Sequence, residues 1–571
     1  MKDRPVARAL RALFALALVG ALFALSAGIA LAGAAAPRPA AATTSYKATI
    51  KDGRAAAQAL LDQSGAASLS LALVSGDRVV WQEAFGYADK ATSTPPGPDT
   101  MYGIGSVSKM LATVAAMKLV DQGELDLDAP LVNYLPLLAA RFPVYGQITL
   151  RMLLDHSSGF PGSTYGDAIT GAYFPGYLQQ MMDALTTERP KTTPGYMSVY
   201  CNDGFTLVEA LVPLVTGKTF AQYVHEEVLT PLGMDHSAYP LEPFDPDSYA
   251  KAYRGDVARP LEVLNVLASG GLYSTPTDMS NLATMLMNGG VFNGTRVLSA
   301  KAVADMGADQ TLLSFNPVPS NAARYGLGWD TVTQPGLRAV KVTGWAKGGD
   351  SIDYHAAFIV TPKARLAVTV TGVAPLGSGG LETLGERVLL HALVDQGTLR
   401  RLPQPIPAVA PPVKKATDEQ LHVMEGVWAM NQAVFRVAAS GSDPQALIFS
   451  MLSADGWQPA EASLRLRTDG RFHADGSAGS TYTMTAGGRR YLVNRTVGGN
   501  GHYLDSMLLA QKLHPLPALS APWQSRVGHL WLAVNERPDS ATYAEDAGPL
   551  LMVSDVPGLA GYVTVTTPSY G

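Results

Sequence analysis

The sequence contains little cysteine, little charge and no cluster of basic residues. Only one of its 571 residues is a cysteine, Cys201, so no disulfide can form within the chain. Charged residues make up 16% of the total and the net charge is −5, which gives no electrostatic reason to expect a nucleic-acid partner. The stretches His225-Glu226-Glu227 and Met234-Asp235-His236 lack the paired spacing of a metal site, so we predict no metal and no other cofactor.

The N-terminus has the pattern of a targeting segment. Four basic residues precede a run over 12–36 that contains no charge: Lys2, Arg4, Arg8 and Arg11. Ala34-Ala35-Ala36 offers the small-x-small pattern that a signal peptidase recognises. We therefore predict a signal peptide at 1–36 and an exported protein, periplasmic or secreted. The same run is long enough to span a bilayer if it is not cleaved, so an N-terminal anchor is the alternative and the one predicted contact with a membrane.

The length exceeds what one hydrophobic core usually serves, which predicts two domains. A first domain is expected at 46–399 and a stiff, proline-rich linker at 400–415. Beyond it, over 416–571, short alternating runs are separated by Gly, Asp and Ser turns, which predicts a small antiparallel β domain. A lid over a site, an oligomer contact and a ligand module all fit that second domain, and the oligomeric state is left open.

Within the first domain the predicted strands lie at both ends. Leu69 to Tyr87 reads as a hairpin with a turn at Ser75-Gly76-Asp77, and residues 354–360 and 366–371 read as two more strands. Helices are predicted over 54–63 and 381–394, and residues 160–193 look irregular. Because first and last segments both supply strands, we expect an α+β fold with a largely antiparallel sheet covered by helices.

A serine and a lysine stand three positions apart in Gly105-Ser106-Val107-Ser108-Lys109-Met110. A helix that begins near Val107 would place Ser106 and Lys109 on one face, one turn apart. A serine hydroxyl is a poor nucleophile unless a base takes its proton, and a lysine can be that base only if its pKa is lowered. The alternative is a helix terminus with an ordinary serine cap and a solvated lysine.

Two further motifs follow in order: Tyr200-Cys201-Asn202 and Lys347-Gly348-Gly349. Together with Ser106-x-x-Lys109 they resemble the three active-site motifs of penicillin-recognising serine hydrolases, in the branch of the class C β-lactamases and the D-Ala-D-Ala carboxypeptidases. Four other stretches agree with that family: Leu153-Leu154-Asp155-His156-Ser157-Ser158-Gly159, Pro231-Leu232-Gly233-Met234, Gly270-Gly271-Leu272-Tyr273-Ser274 and Tyr325-Gly326-Leu327-Gly328-Trp329. The resemblance covers residues 50–396 and implies a β-lactamase/transpeptidase-like domain.

The resemblance also implies roles. Ser106 would attack a carbonyl carbon and form an acyl-enzyme, while Lys109 and Tyr200 would move its proton. Which of those two is the base is left open. The backbone amides of Ser106 and Asp350 would form an oxyanion hole. The substrate would be bound by Asn202, through carbonyl groups, by Lys347, through a carboxylate, and by Gly348 and Gly349.

One departure bears on the substrate. Gly348 has no hydroxyl, whereas β-lactam-hydrolysing members use a hydroxyl there to help bind a carboxylate. We therefore expect a hydrolase for a small ester, amide or peptide, such as an esterase, a D-aminopeptidase or a carboxypeptidase-like enzyme with weak β-lactamase activity. A true β-lactamase is the alternative enzyme. Alternatives of another class are a non-catalytic penicillin-recognising sensor and a structural pseudo-hydrolase.

Overall fold

The computed structural model describes residues 44–566, except 140–142, 319, 408, 431–432, 454–455, 533, 535, 542 and 544–549. The predicted signal peptide or anchor, 1–36, lies outside these residues. Among the helices that are described, none combines the length and the apolar character needed to cross a bilayer.

A five-stranded antiparallel sheet forms the centre of the first domain. In chain order its strands are β1 (Ser68–Ser75), β2 (Arg78–Gly86), β3 (Trp345–Asp350), β4 (Tyr354–Thr361) and β5 (Leu366–Val373). Their order in the sheet is β3-β4-β5-β1-β2, so strands from both ends of the domain pair with each other as the sequence predicts. The edge strand β3 carries the third motif.

Both faces of the sheet are covered by helices. The long ones are α1 (Lys47–Ser64), α2 (Ser108–Gln122), α3 (Asn202–Thr216), α4 (Pro276–Met287) and α5 (Ser378–Asp395). Alternate residues of a strand point to opposite faces, and so Phe358 of β4 enters the core that contains α2 and α3, while Ile359 enters the core beneath α1 and α5. The shorter helices are Leu150–Leu154, Tyr177–Leu185, Phe220–Val224, Thr230–Leu232, Leu267–Gly270, Ala300–Met306, Pro335–Ala339, Asp418–Met424 and Ala521–Gln524.

The stretch 160–193 is less irregular than its sequence indicates. It contains the nine-residue helix Tyr177–Leu185, which buries Tyr177, Met181 and Leu185 at a spacing of four. One apolar stripe on so short a helix is easily lost among the surrounding glycines and aromatics. The rest of the stretch forms loops and the two-residue strand Ile169–Thr170, which pairs with Val263–Leu264.

The second part of the chain contains a closed antiparallel barrel of eight strands, which confirms the predicted antiparallel β domain. The barrel strands, β6 to β13, are Gly426–Ala429, Val434–Ala439, Ala446–Ser453, Gly456–Leu466, Phe472–Ala474, Ser480–Ala486, Arg489–Val497 and Leu504–Lys512. Pairing of the first with the last closes the barrel around Trp428, Leu447 and Leu492. A three-stranded sheet follows, with strands Leu530–Leu532, Leu550–Asp555 and Val563–Thr566.

The barrel is fastened to the first domain by the segment that leads into β13. The buried carboxylate of Asp505 accepts hydrogen bonds from Ser320 Oγ at 3.0 Å and from the Ala322 amide at 2.9 Å. Asn500 Nδ2 donates to Glu386 Oε1 at 2.7 Å. The exact domain boundaries, 46–399, 400–415 and 416–571, stay predictions.

Candidate active site

Ser106 lies at the mouth of α2, in a 3₁₀ turn over Gly105–Val107 that precedes the helix. It is the one residue between Met101 and Met117 that is not buried, so its hydroxyl is accessible while its backbone is fixed. Gly105 has φ +49°, and a Cβ there would lie 2.8 Å from the amide nitrogen of Asp350. The turn is therefore pressed against the end of β3 at a distance that only glycine allows.

Lys109 is fully buried beneath the serine. Its Nζ lies 2.9 Å from Ser106 Oγ, and it donates to Asn202 Oδ1 at 2.7 Å and to the Ser269 carbonyl at 2.6 Å. Burial lowers the pKa of Lys109 well below 10.5, and the positive charge of Lys347 lowers it further. A neutral amine has two hydrogens, which the two carbonyl oxygens take, and its lone pair then faces the serine hydroxyl.

Tyr200 lies on the other side of the serine. Its hydroxyl donates to Ser106 Oγ at 2.7 Å, and its ring has Lys109 Nζ 5.1 Å and Lys347 Nζ 5.2 Å from the ring centroid. Burial raises the pKa of Tyr200 well above its ordinary value of 10, and the charge of Asp330 acts in the same direction. The phenol is therefore protonated at rest.

His156 fixes the position of the Tyr200 ring. The two rings stack, with centroids 4.3 Å apart and an interplanar angle of 27°. The Cys201 amide donates to His156 Nδ1 at 3.1 Å, so the ring bonds to the backbone of the tyrosine motif. Burial lowers the pKa of His156 and keeps the imidazole neutral. His156 is therefore a positioning residue.

The second motif forms the entry to α3. Asn202 begins the helix, and its Oδ1 accepts a hydrogen bond from Lys109, which leaves Nδ2 as the donor group of this side chain. Cys201 is buried, and its thiol donates to the Gly162 carbonyl at 2.7 Å. Lys191 Nζ donates to the carbonyls of Val199 and Tyr200, at 3.2 and 3.4 Å, which holds the segment before the helix.

Lys347 of the third motif forms an ion pair within the site. Its Nζ lies 2.9 and 3.0 Å from the two carboxylate oxygens of Asp330 and 3.5 Å from the Tyr200 hydroxyl. The Gly348 amide also donates to Asp330 Oδ2, at 2.9 Å. The sequence predicts a cation at this position. In the structure that cation is already paired with the Asp330 carboxylate.

The outer edge of β3 presents backbone amides to the serine turn. The Gly348 amide points away from β4, since it donates to Asp330. Residues two apart on a strand point the same way, so the Asp350 amide leaves the same edge. A Cβ on Gly349 would lie 2.0 Å from the Ile104 carbonyl and 3.0 Å from the Ser106 amide nitrogen. This close packing places the backbone amides of Ser106 and Asp350 near each other.

An apolar cavity of about 250 Å³ adjoins Tyr200. Its walls come from the loop around Phe315, from Tyr325, and from Met507 and Leu508 of the barrel strand β13. The barrel therefore lies against the site and supplies part of its surface.

Sequence reasoning missed three groups that the structure brings to the site: Asp330, the Ser269 carbonyl and the two barrel residues. Asp330 directly follows the Tyr325–Trp329 stretch, and Ser269 directly precedes Gly270-Gly271, so both adjoin stretches that the resemblance had marked. Nothing in the local pattern of β13 indicates that Met507 and Leu508 reach a site formed some 300 residues earlier. In the part of the chain that the structure describes, no group of three or more His, Cys, Asp or Glu side chains could hold a metal.

Comparison with known proteins shows similarity over the first domain. The β-lactamase family model matches residues 54–375. The D-alanyl-D-alanine-carboxypeptidase/endopeptidase AmpH of Escherichia coli (strain K12) is 29% identical over 323 residues, which are 53% of this chain and 81% of that protein. Penicillin-binding protein 4 of Amycolatopsis lactamdurans is 27% identical over 341 residues, 58% of this chain and 85% of that protein.

Solved structures share the fold. The crystal structure of SurE with D-Leu superposes with a TM-score of 0.55 at 22% identity, covering 81% of this chain and all of that one (100%). The matched family region contains all three motifs, and it spans more than half of the 571 residues. This chain therefore belongs to the β-lactamase family and is one of its serine hydrolases.

Proposed function

We propose that this protein hydrolyses the amide bond that follows a D-residue in short peptides, through an acyl-enzyme on Ser106, and that it also turns over small esters. The observation that carries the proposal is the pair of hydrogen-bond contacts to Ser106 Oγ, one from a buried lysine with a lowered pKa and one from a buried tyrosine with a raised pKa. Environments that push two pKa values apart identify an acid and a base.

In the acylation step Lys109 acts as the base and Tyr200 as the acid. Ser106 Oγ attacks the carbonyl carbon, and its proton passes to the neutral amine 2.9 Å away. When the C–N bond breaks, the Tyr200 hydroxyl gives its proton to the leaving nitrogen. This step leaves an acyl-serine, a protonated Lys109 and a Tyr200 phenolate between two ammonium groups.

Deacylation restores both groups. A water molecule takes the place of the departed amine and gives a proton to the Tyr200 phenolate as it attacks the ester carbon. The Ser106 oxygen then leaves and takes back the proton from Lys109. Over the cycle each residue returns to its resting protonation state, so no other acid or base is required.

The amides of Ser106 and Asp350 are the proposed oxyanion hole. Their positions are fixed by the close packing of Gly105 and Gly349, so they need no rearrangement when charge develops on the carbonyl oxygen. A preorganised donor of this kind typically contributes about 10²–10³ in rate.

Two observations support a peptide substrate. AmpH, the relative that matches over 81% of its own length, is a D-alanyl-D-alanine carboxypeptidase/endopeptidase, and the similar SurE structure contains D-Leu. The apolar cavity beside Tyr200 suits a small apolar side chain or acyl group. On the pattern of residues 1–36, we place the reaction outside the cytoplasm.

The test separates an enzyme from a scaffold and then identifies its substrate. Intact mass after treatment with a slowly hydrolysed penicillin should show one adduct, which Ser106→Ala lacks. Purified enzyme should then cleave N-acetyl-D-Ala-D-Ala-amide faster than its L,L isomer and faster, per molecule, than nitrocefin. No adduct and no cleavage would favour the pseudo-hydrolase, an adduct without turnover would favour the sensor, and faster nitrocefin hydrolysis would favour a true β-lactamase.

A further inference from the structure

The ammonium group of Lys347 has no hydrogen left for a substrate. Its three hydrogens have three neighbours: the Asp330 carboxylate at 2.9 and 3.0 Å, the Gly348 carbonyl at 2.8 Å and the Tyr200 hydroxyl at 3.5 Å. The Lys347 side chain is 1% exposed and that of Asp330 is 31% exposed. The group that meets the solvent here is therefore the carboxylate and not the cation.

Asp330 is held against the edge of β3 by two kinds of contact. One is the ion pair with Lys347, and the other is the hydrogen bond from the Gly348 amide to Oδ2 at 2.9 Å. A Cβ on Gly348 would lie 3.3 Å from Ser378 Oγ and 3.7 Å from Asp330 Oδ2, so this position is closely surrounded. The third motif, which has no hydroxyl at Gly348, therefore has a backbone amide that faces a carboxylate.

The leaving group must pass close to this carboxylate. For proton transfer the leaving nitrogen has to come within about 2.6–3.2 Å of the Tyr200 hydroxyl. If the substrate ends at the leaving residue, its α-carboxylate is two bonds of about 1.5 Å each from that nitrogen. A free carboxylate would therefore lie beside Lys347 and Asp330, where one negative charge already balances the one cation.

Another acidic side chain lies in the neighbourhood. Asp330 and Glu382 line a cavity of about 200 Å³, together with Gln334 and Tyr503. Burial raises the pKa of Glu382 to about 7, and the charge of Asp330 acts in the same direction. A substrate carboxylate that enters this region is therefore repelled by the acidic side chains, because the Lys347 ammonium is already paired with Asp330.

We propose that Asp330 is a specificity-determining residue that discriminates against substrates with a free carboxylate on the leaving group. The preferred substrates of this site then have an uncharged leaving group: an internal peptide bond, a C-terminal amide or a neutral ester. The inference deepens the proposed function, since it concerns the leaving-group side of the Ser106 site.

The experiment compares substrates that differ only in that charge. One pair is N-acetyl-D-Ala-D-Ala and its C-terminal amide; the other is 4-nitrophenyl butyrate and 3-carboxy-4-nitrophenyl butyrate. For each pair the readout is the ratio of kcat/KM for the neutral to the anionic substrate, which does not depend on the fraction of active enzyme. The variants are Asp330→Asn, which is isosteric and keeps an oxygen for the Gly348 amide, and Asp62→Asn, which removes the same charge from the exposed face of α1.

Wild-type enzyme should prefer the neutral member by at least about tenfold, and Asp330→Asn should lower that ratio by about tenfold or more, whereas Asp62→Asn should not change it. A wild-type ratio near one, or a ratio that Asp330→Asn alters by less than about threefold, would overturn the inference. If both peptides are inert while the ester pair shows the discrimination and its loss, the proposed peptide substrate fails and the inference stands. If the peptides are cleaved without discrimination, the inference fails and the proposed function stands.

Discussion

The assignment of Tyr200 as acid and Lys109 as base makes a sharp prediction for Tyr200→Phe. The substitution keeps the ring stacked on His156 and removes a hydroxyl that lies 2.7 Å from Ser106 Oγ and 3.5 Å from Lys347 Nζ. The neutral hydrogen bond to Ser106 and the longer one from the Lys347 ammonium are both lost, which together costs about 2 kcal/mol of stability. For a chain of this size the change in Tm should be roughly 2 °C, so the variant should fold.

The loss of rate should depend on the leaving group. An amine must be protonated as it departs, so kcat/KM for N-acetyl-D-Ala-D-Ala-amide should fall by about 10²–10⁴. A nitrophenolate leaves without a proton, so p-nitrophenyl butyrate should lose only the hydrogen bond that orients the serine, which is about tenfold. Because kcat/KM reports the steps up to acylation, slow deacylation does not affect the comparison.

Tyr325→Phe is the matched control. Tyr325 also packs against His156, edge-on and with centroids 5.2 Å apart, and lines the same cavity as Tyr200. It undergoes the same chemical change without a bond to the serine, so both substrates should be affected little and equally. Equal losses on the amide and the ester in Tyr200→Phe would refute the reasoning, because Tyr200 would then act on the serine and not on the leaving group.

Three further predictions follow from the same geometry. Since Lys109 must be neutral to act, kcat/KM should rise with pH through a pKa well below the ordinary lysine value of 10.5 and stay level until Tyr200 ionises above its ordinary 10; a rate still rising through pH 10 would contradict the lowered lysine pKa. Gly349→Ala would place a Cβ 2.0 Å from the Ile104 carbonyl and displace the oxyanion hole, so the acylation rate should fall by about 10² or more. A variant as active as wild type would show that the positions of these amides do not matter. Burial raises the pKa of the Cys201 thiol to about 11, so iodoacetamide at pH 8 should leave the native protein unmodified and label it only after unfolding, as intact mass would show.

The sequence predicted those features that local patterns encode. The turn Ser75-Gly76-Asp77 marked the first hairpin. The spacing of Ser106 and Lys109 predicted that both lie on one helical face, and the structure places Ser106 in the 3₁₀ turn directly before α2. The resemblance indicated which motifs form the site, but it did not indicate the geometry of their side chains. The pairing of Lys347 with Asp330 depends on how a loop crosses an edge strand, and the contribution of Met507 depends on how a barrel packs against a separate sheet. Neither contact has a signature at short range, since each is fixed by tertiary packing.

The buried state of Lys109 also has a thermodynamic consequence for the whole fold. In the unfolded chain this lysine is protonated below pH 10.5, whereas in the folded protein its pKa is lowered and it releases the proton. Between those two pKa values the unfolded state therefore binds more protons than the folded state. The free energy of unfolding increases as the pH rises over that range. At neutral pH the fold is therefore weaker than it would be if the pKa of Lys109 were the same in the folded and the unfolded chain. The reactivity of Ser106 and this cost in stability thus have one physical origin, the removal of a single ammonium group from water.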